Sequence, residues 1–263
     1  RVVRKGEGEG GDCLVFAAVL SVLMGVACLL LPTTPPAGKG GVPIVDALAM
    51  LGQSDFLVFI VASLVISGLM QFYFLGSARF MIDMGISAKA VPAAMGIAQA
   101  AQAVATVVAL GAVLGALGFK MTLTLGAACW LGLYVIYILG RPKGLIVGAQ
   151  VLHGLAYVMF MIVGQIFAAK VAPEAIRSSM QALIFAATTG VGLFLGSQLA
   201  GVVMDRFTVE GKFQWPKIWA VPLVIMLAGT LVLATVFKGD VPKEEKKPAA
   251  KASITRLLSA HTA

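Results

Sequence analysis

Seven stretches of this 263-residue chain are long and apolar enough to cross a bilayer as helices, a task that takes about 20 residues. They run over 13–31, 56–76, 93–117, 121–139, 145–169, 180–204 and 218–237. Backbone in hydrocarbon must satisfy its own N–H and C=O groups, so a spanning segment is a helix or part of a closed barrel. The period-two alternation of a barrel strand is missing. The expected fold is therefore an all-α polytopic membrane protein with seven transmembrane helices. Composition agrees, with 59% hydrophobic and 12% charged residues.

The segments between the spans set the organisation. Residues 1–12 are a charged, glycine-rich loop. The first span, 13–31, carries no charge and runs straight into Pro32, which reads as a retained span and not a cleaved signal peptide. A chain that begins at Arg1 reads as a fragment of a longer one. "PTTPPAGKGGVP" (32–43) cannot stay helical and separates one span from a block of six. "VDALAMLGQSD" (45–55) is short and amphipathic, suited to the membrane interface. "GFK" at 118–120 and "GRPKG" at 140–144 leave room only for antiparallel neighbours. Trp215 and Trp219, near the polar loop 205–217, are expected as interface anchors. The tail, 238–263, is rich in Lys, Glu, Pro and Ala and is expected to be disordered.

The net charge of +8 lies in loops and tails. It reads as membrane topology and not as a nucleic-acid face. Its twenty basic residues divide evenly between the two sides, so charge alone does not orient the chain. Cys13, Cys28 and Cys129 fall in apolar spans and read as buried thiols, without a disulfide or metal role.

Polar groups in hydrocarbon are expensive, and those present here fall in stripes at helical spacing. Ser63, Ser67 and Gln71 share one face, with Phe72, Tyr73 and Phe74 just beyond. Gln99, Gln102 and Thr106 share another. Gln150, His153, Tyr157, Met161 and Gln165 form a third, and Gln181, Thr188, Gly192, Gly196 and Ala200 a fourth. Each admits a plainer reading: Ser and Thr bond back to their own helix, GxxxG marks close helix contact, and Gln or His glues helices together. Convergence of three stripes bearing Gln, His or Tyr favours a cavity for a neutral, hydrogen-bonding solute. All twelve acids sit at span ends, in loops or in tails, and no Lys or Arg lies at mid-span. That excludes a retinal-type Schiff base and argues against a charged substrate held by a counter-ion. His153 is then the one titratable group near neutral pH in the spans, a possible proton carrier. With no nucleophile–base pair and no metal cluster apparent, neither an enzyme nor a cofactor or metal site is expected.

The stretch "LHGLAYVMFMIVGQIFAAKVAPEAIRSSMQALIFAATTGVGLFLGSQLAGVV" resembles the C-terminal part of a major facilitator superfamily transporter, and more narrowly the nucleoside:H+ symporter (nucleoside permease) family. "APxxIRSSxQ" followed by "TxGxGxxxG" is similar to that family's turn from helix ten to eleven; "LLLPTTPP" resembles the exit of helix six and "MGISAKAVPAAMGIAQAAQ" the approach to helix eight. The resemblance implies that 13–31 is helix six, 32–54 the central cytoplasmic linker, 55–237 the C-terminal six-helix domain and 238–263 a cytoplasmic tail. It also implies a cell (inner) membrane protein that takes up nucleosides with protons by alternating access. Gln71, Phe74, Gln99, Gln102, His153 and Tyr157 would bind the solute. Gln102 and Val158 stand where the family has acids, and His153 where it has a tyrosine. Two other readings remain: a carrier of the same superfamily for a sugar, drug or other metabolite, and a seven-helix receptor or structural membrane protein.

Overall fold

Glycine and proline punctuate the apolar runs, and the helices of the computed structural model begin and end around them. The structure describes residues 11–31 and 43–242. They fall into two units divided between Lys39 and Gly40. In the first, α1 (Gly11–Leu29) is a 19-residue helix.

The helices of the second unit are α2 (Pro43–Ala49), α3 (Ser54–Asp83), α4 (Val91–Val104), α5 (Leu110–Leu139), α6 (Lys143–Gly148), α7 (Gln150–Ala156), α8 (Val163–Val171), α9 (Arg177–Phe185), α10 (Leu193–Arg206) and α11 (Trp215–Thr235). Wide π-helical turns at Ala105–Ala109, Tyr157–Ile162 and Ala186–Gly192 join α4 to α5, α7 to α8 and α9 to α10. Among the described residues five helical runs are long and apolar enough to cross a membrane: Ser54–Asp83, Val91–Leu139, Lys143–Val171, Glu174–Arg206 and Trp215–Thr235. Val91–Leu139 is broken at Gly118, whose φ of 67° and ψ of −179° no helix contains. Only glycine adopts that backbone readily, so the break falls where "GFK" predicts a connection.

Small residues bring the helices together, as expected where lipid tails remove any hydrophobic drive between them. A side-chain carbon added at Gly68 would stand 2.8 Å from the Gly192 carbonyl oxygen, and one at Gly196 would collide with the backbone of Gly68. The GxxxG pair is thus a close contact between α10 and α3. Ser67 Oγ donates across the same crossing to the Thr188 carbonyl at 3.2 Å. Gly154 on α7 likewise abuts Ala98 and Gln102 on α4, and Gly126 on α5 abuts the backbone of Phe160.

Two aromatic clusters fill the remaining space. Phe59, Phe119, Phe167 and Phe237 interlock, with Phe59 and Phe167 edge-on at 4.8 Å. Phe80, Tyr134, Tyr137, Trp215 and Trp219 form the second, in which the two tryptophans stack at 5.7 Å. Both tryptophans are buried, contrary to the expectation of interface anchors. Gly76 makes the room: a carbon added there would stand 2.8 Å from the Trp219 ring.

Polar residues pin the ends of the apolar spans. Asp83 accepts from Arg79 Nε at 2.9 Å and from Trp215 Nε1 at 3.0 Å. Asp55 accepts the backbone N–H groups of Lys238 and Gly239 at 2.7 and 3.1 Å. The loop before α11 is a small hairpin, with Thr208–Val209 paired to Lys212–Phe213. Its two central residues, Glu210 and Gly211, take φ of 51° and 73°, the sign a two-residue hairpin turn favours. Helical structure over Pro43–Ala49 and a 3-10 turn over Met50–Gly52 occupy most of the described part of the expected linker. The expected loop 1–12 lies almost wholly outside the described residues; of the expected disordered tail, 238–263, residues 238–242 are described and are tied at their start to Asp55, and the rest lies outside them.

Candidate functional site

The stripe from Gln150 to Gln165 does not keep to one environment. In its first half, Gln150 and His153 are buried between helices. Tyr73 Oη on α3 donates to Gln150 Oε1 at 2.7 Å, and Gln150 Nε2 donates to Tyr137 Oη on α5 at 2.7 Å. Three helices are thereby joined through one amide. His153 lies flat on Tyr73, with ring centroids 3.7 Å apart and 12° between planes. Phe74 meets the imidazole edge-on at 5.7 Å. Trp130 Nε1 donates to His153 Nδ1 at 3.1 Å. An indole N–H is a donor only, so Nδ1 accepts and the proton of the neutral ring is on Nε2.

In its second half the stripe opens onto space. Tyr157, Met161 and Gln165 line a cavity of about 530 Å³ together with Ile162, Gln181 and Thr188. The change of environment has a local cause. The π-helical turn Tyr157–Ile162 takes in an extra residue, which rotates the downstream helix α8 relative to an α-helical count. The fourth stripe behaves alike across the turn Ala186–Gly192. Gln181 faces the cavity, whereas Gly192, Gly196 and Ala200 are buried.

A second cavity of about 330 Å³ shares Ile162, Gln165 and Gln181 with the first. Ile166, Ala169, Lys170, Arg177 and Pro242 complete its lining. Arg177 Nε donates to the Ala169 carbonyl at 3.1 Å, tying the start of α9 to the end of α8. The combined space therefore runs from aromatic and hydroxyl groups, past two primary amides, to cations.

The six sequence-predicted residues are placed unequally. Tyr157 lines the first cavity. Phe74 is 45% exposed beside His153. Gln71 and Gln102 are half-buried, and Gln99 is exposed on α4. His153 is 1% exposed, enclosed by aromatic rings. Sequence reasoning does not single out Trp130 and Tyr73, the partners that hold His153, nor Gln165 and Gln181 as solute contacts. The two glutamines sit in the striped pattern, so their spacing is the available signal. Trp130 carries no such signal, because it reads as one more apolar residue of its span.

Buried polar networks beside a polar cavity, within helices of membrane-spanning length, define a multi-pass membrane protein with a solute-sized chamber. The chain belongs to the nucleoside H+ symporter family, which matches it over residues 12–241. YegT of Escherichia coli (strain K12), a candidate nucleoside transporter, is 29% identical over 85% of this chain and 56% of its own length. The xanthosine permease of the same organism is 24% identical over 85% of this chain and 57% of its own. The chain thus spans a little over half the length of these curated relatives. The fold matches the crystal structure of a mutant form of the nucleoside transporter NupG, with a TM-score of 0.73 at 21% identity, over 85% of this chain and 60% of that one.

Proposed function

We propose that the protein carries nucleosides across the cell (inner) membrane by proton symport through alternating access. Membership of the nucleoside H+ symporter family over residues 12–241 carries this reading. The chain corresponds, in this proposal, to helix six and the C-terminal six-helix half of a major facilitator superfamily carrier. The Gly118 break, which divides Val91–Leu139, and the separate helix Gly11–Leu29 support a count of seven spans.

Solute contacts are assigned to Gln71, Phe74, Gln99, Gln102, His153 and Tyr157. The lining position of Tyr157 and the exposure of Phe74 and Gln99 support this set. Each neutral hydrogen bond contributes about 0.5–1.5 kcal/mol net, so several together give the modest affinity a carrier needs. His153 remains the candidate proton carrier within the spans. Taking a second proton at Nδ1 requires the Trp130 bond to open, since both partners would then be donors.

Uptake of labelled uridine and adenosine into proteoliposomes of the full-length protein tests the substrate. Saturable uptake, competed by unlabelled nucleosides and not by sugars, is expected. Absence of saturable nucleoside uptake, with uptake of another neutral solute, supports the second reading, a carrier for a different metabolite. Gln102 and Val158, standing in place of family acids, are the observation that favours it.

A further inference from the structure

Gln165 and Gln181 lie on different helices, yet both line both cavities. Their placement comes from the turn between α8 and α9. Arg177 Nε holds the Ala169 carbonyl at 3.1 Å. Gln165 is four residues before Ala169, and Gln181 four residues after Arg177. Residues four apart stack on one helix face, so each glutamine stands one turn inward from the clamp, on the clamped side. The antiparallel pair of helices thereby presents two amides at one level. Neither amide makes a hydrogen bond to another described residue. Elsewhere in the same spans the glutamine that serves as interhelical glue, Gln150, is fully committed to Tyr73, Tyr137 and Ile146.

We propose that Gln165 and Gln181 form a paired-amide binding site, at the junction of the two cavities, that reads the hydrogen-bonding edge of a nucleobase. Each primary amide offers both donors and an acceptor. Two of them, free to rotate, complement a heterocycle that presents a donor beside an acceptor, as the N3–H and O4 of uracil or the N6 and N7 of adenine do. The site adjoins Tyr157, which lines the first cavity with both glutamines, and does not include the enclosed His153. It rests on the nucleoside reading of the family and adds where the base is recognised.

Calorimetric titration of the purified full-length protein tests it, with uridine, N3-methyluridine and 1-O-methylribose as probes. Gln165→Leu and Gln181→Leu are each expected to weaken uridine binding about tenfold. Wild type is expected to prefer uridine to N3-methyluridine, the leucine variants to bind the two alike, and 1-O-methylribose binding to be unchanged throughout. A structural role for either glutamine would not move that preference. Gln181→Met keeps the side chain's length and removes both the amide donor and its acceptor, and it gives the same reading should the leucine variants melt below wild type. Uridine binding and discrimination that survive all three substitutions overturn the site alone. A wild-type protein that binds no nucleoside overturns the proposed function, and this site with it.

Discussion

The imidazole of His153 lies flat on the phenol of Tyr73, 3.7 Å between centroids, while Trp130 Nε1 donates to its Nδ1 at 3.1 Å. The ring is thus fixed on its face and at one nitrogen. Trp130→Phe keeps the aromatic packing and removes the only donor to Nδ1 among the described residues. A buried acceptor left unpaired costs about 1–3 kcal/mol. The thermal midpoint of the detergent-solubilised protein is expected to fall, and His153→Phe in the same background to recover part of the loss. Equal midpoints for wild type and Trp130→Phe would show that the bond contributes nothing.

His153 also makes a kinetic prediction. If it carries the coupled proton, His153→Gln keeps a hydrogen-bonding side chain but flattens the pH dependence of uptake. The check is initial uptake rate against external pH. A variant with the wild-type profile removes His153 from the coupling path and leaves it as a packing residue.

Gln150 separates structure from transport. Replacing it with Leu strands the Tyr73 and Tyr137 hydroxyls, which it now joins across three helices. A loss of about 1–3 kcal/mol in stability is expected, with nucleoside affinity unchanged in the folded fraction. A melting curve paired with a binding titration checks both, and a large loss of affinity at unchanged stability would contradict this assignment.

The crossing of α10 on α3 gives a matched pair of substitutions. Gly196→Ala drives a methyl into the backbone of Gly68, whereas Gly201→Ala meets nothing within 4 Å. Overpacking of this kind costs about 1–3 kcal/mol. Gly196→Ala should lower the yield of monodisperse protein and its melting temperature, and Gly201→Ala should not. Equal behaviour of the two would mean that the helices separate freely at this crossing.

Much of this architecture is legible in the sequence because bilayer thickness dictates span length and glycine or proline marks the connections. The GFK turn and the clustering of acids at span ends arise from those constraints alone. The faces of the helices are less legible, for a local reason. An α-helical count places Gln150, His153, Tyr157 and Gln165 on one face; the first two lie in the core and the last two line the cavity, and the π-helical turn at Tyr157–Ile162 rotates Gln165 relative to that count. No residue in "YVMFMI" announces a widened turn. Burial of Trp219 is hidden for a different reason: it depends on the space left by Gly76, more than a hundred residues away in the chain.

Coupling of nucleoside movement to protons is the heart of the proposed function, and one measurement addresses it directly. Proteoliposomes of the full-length protein are loaded at neutral pH, diluted into acidic buffer with labelled uridine, and sampled with and without a protonophore. Proton symport predicts transient accumulation of uridine above its external concentration, abolished by the protonophore. Uptake that only equilibrates, unaffected by the pH gradient, would contradict it.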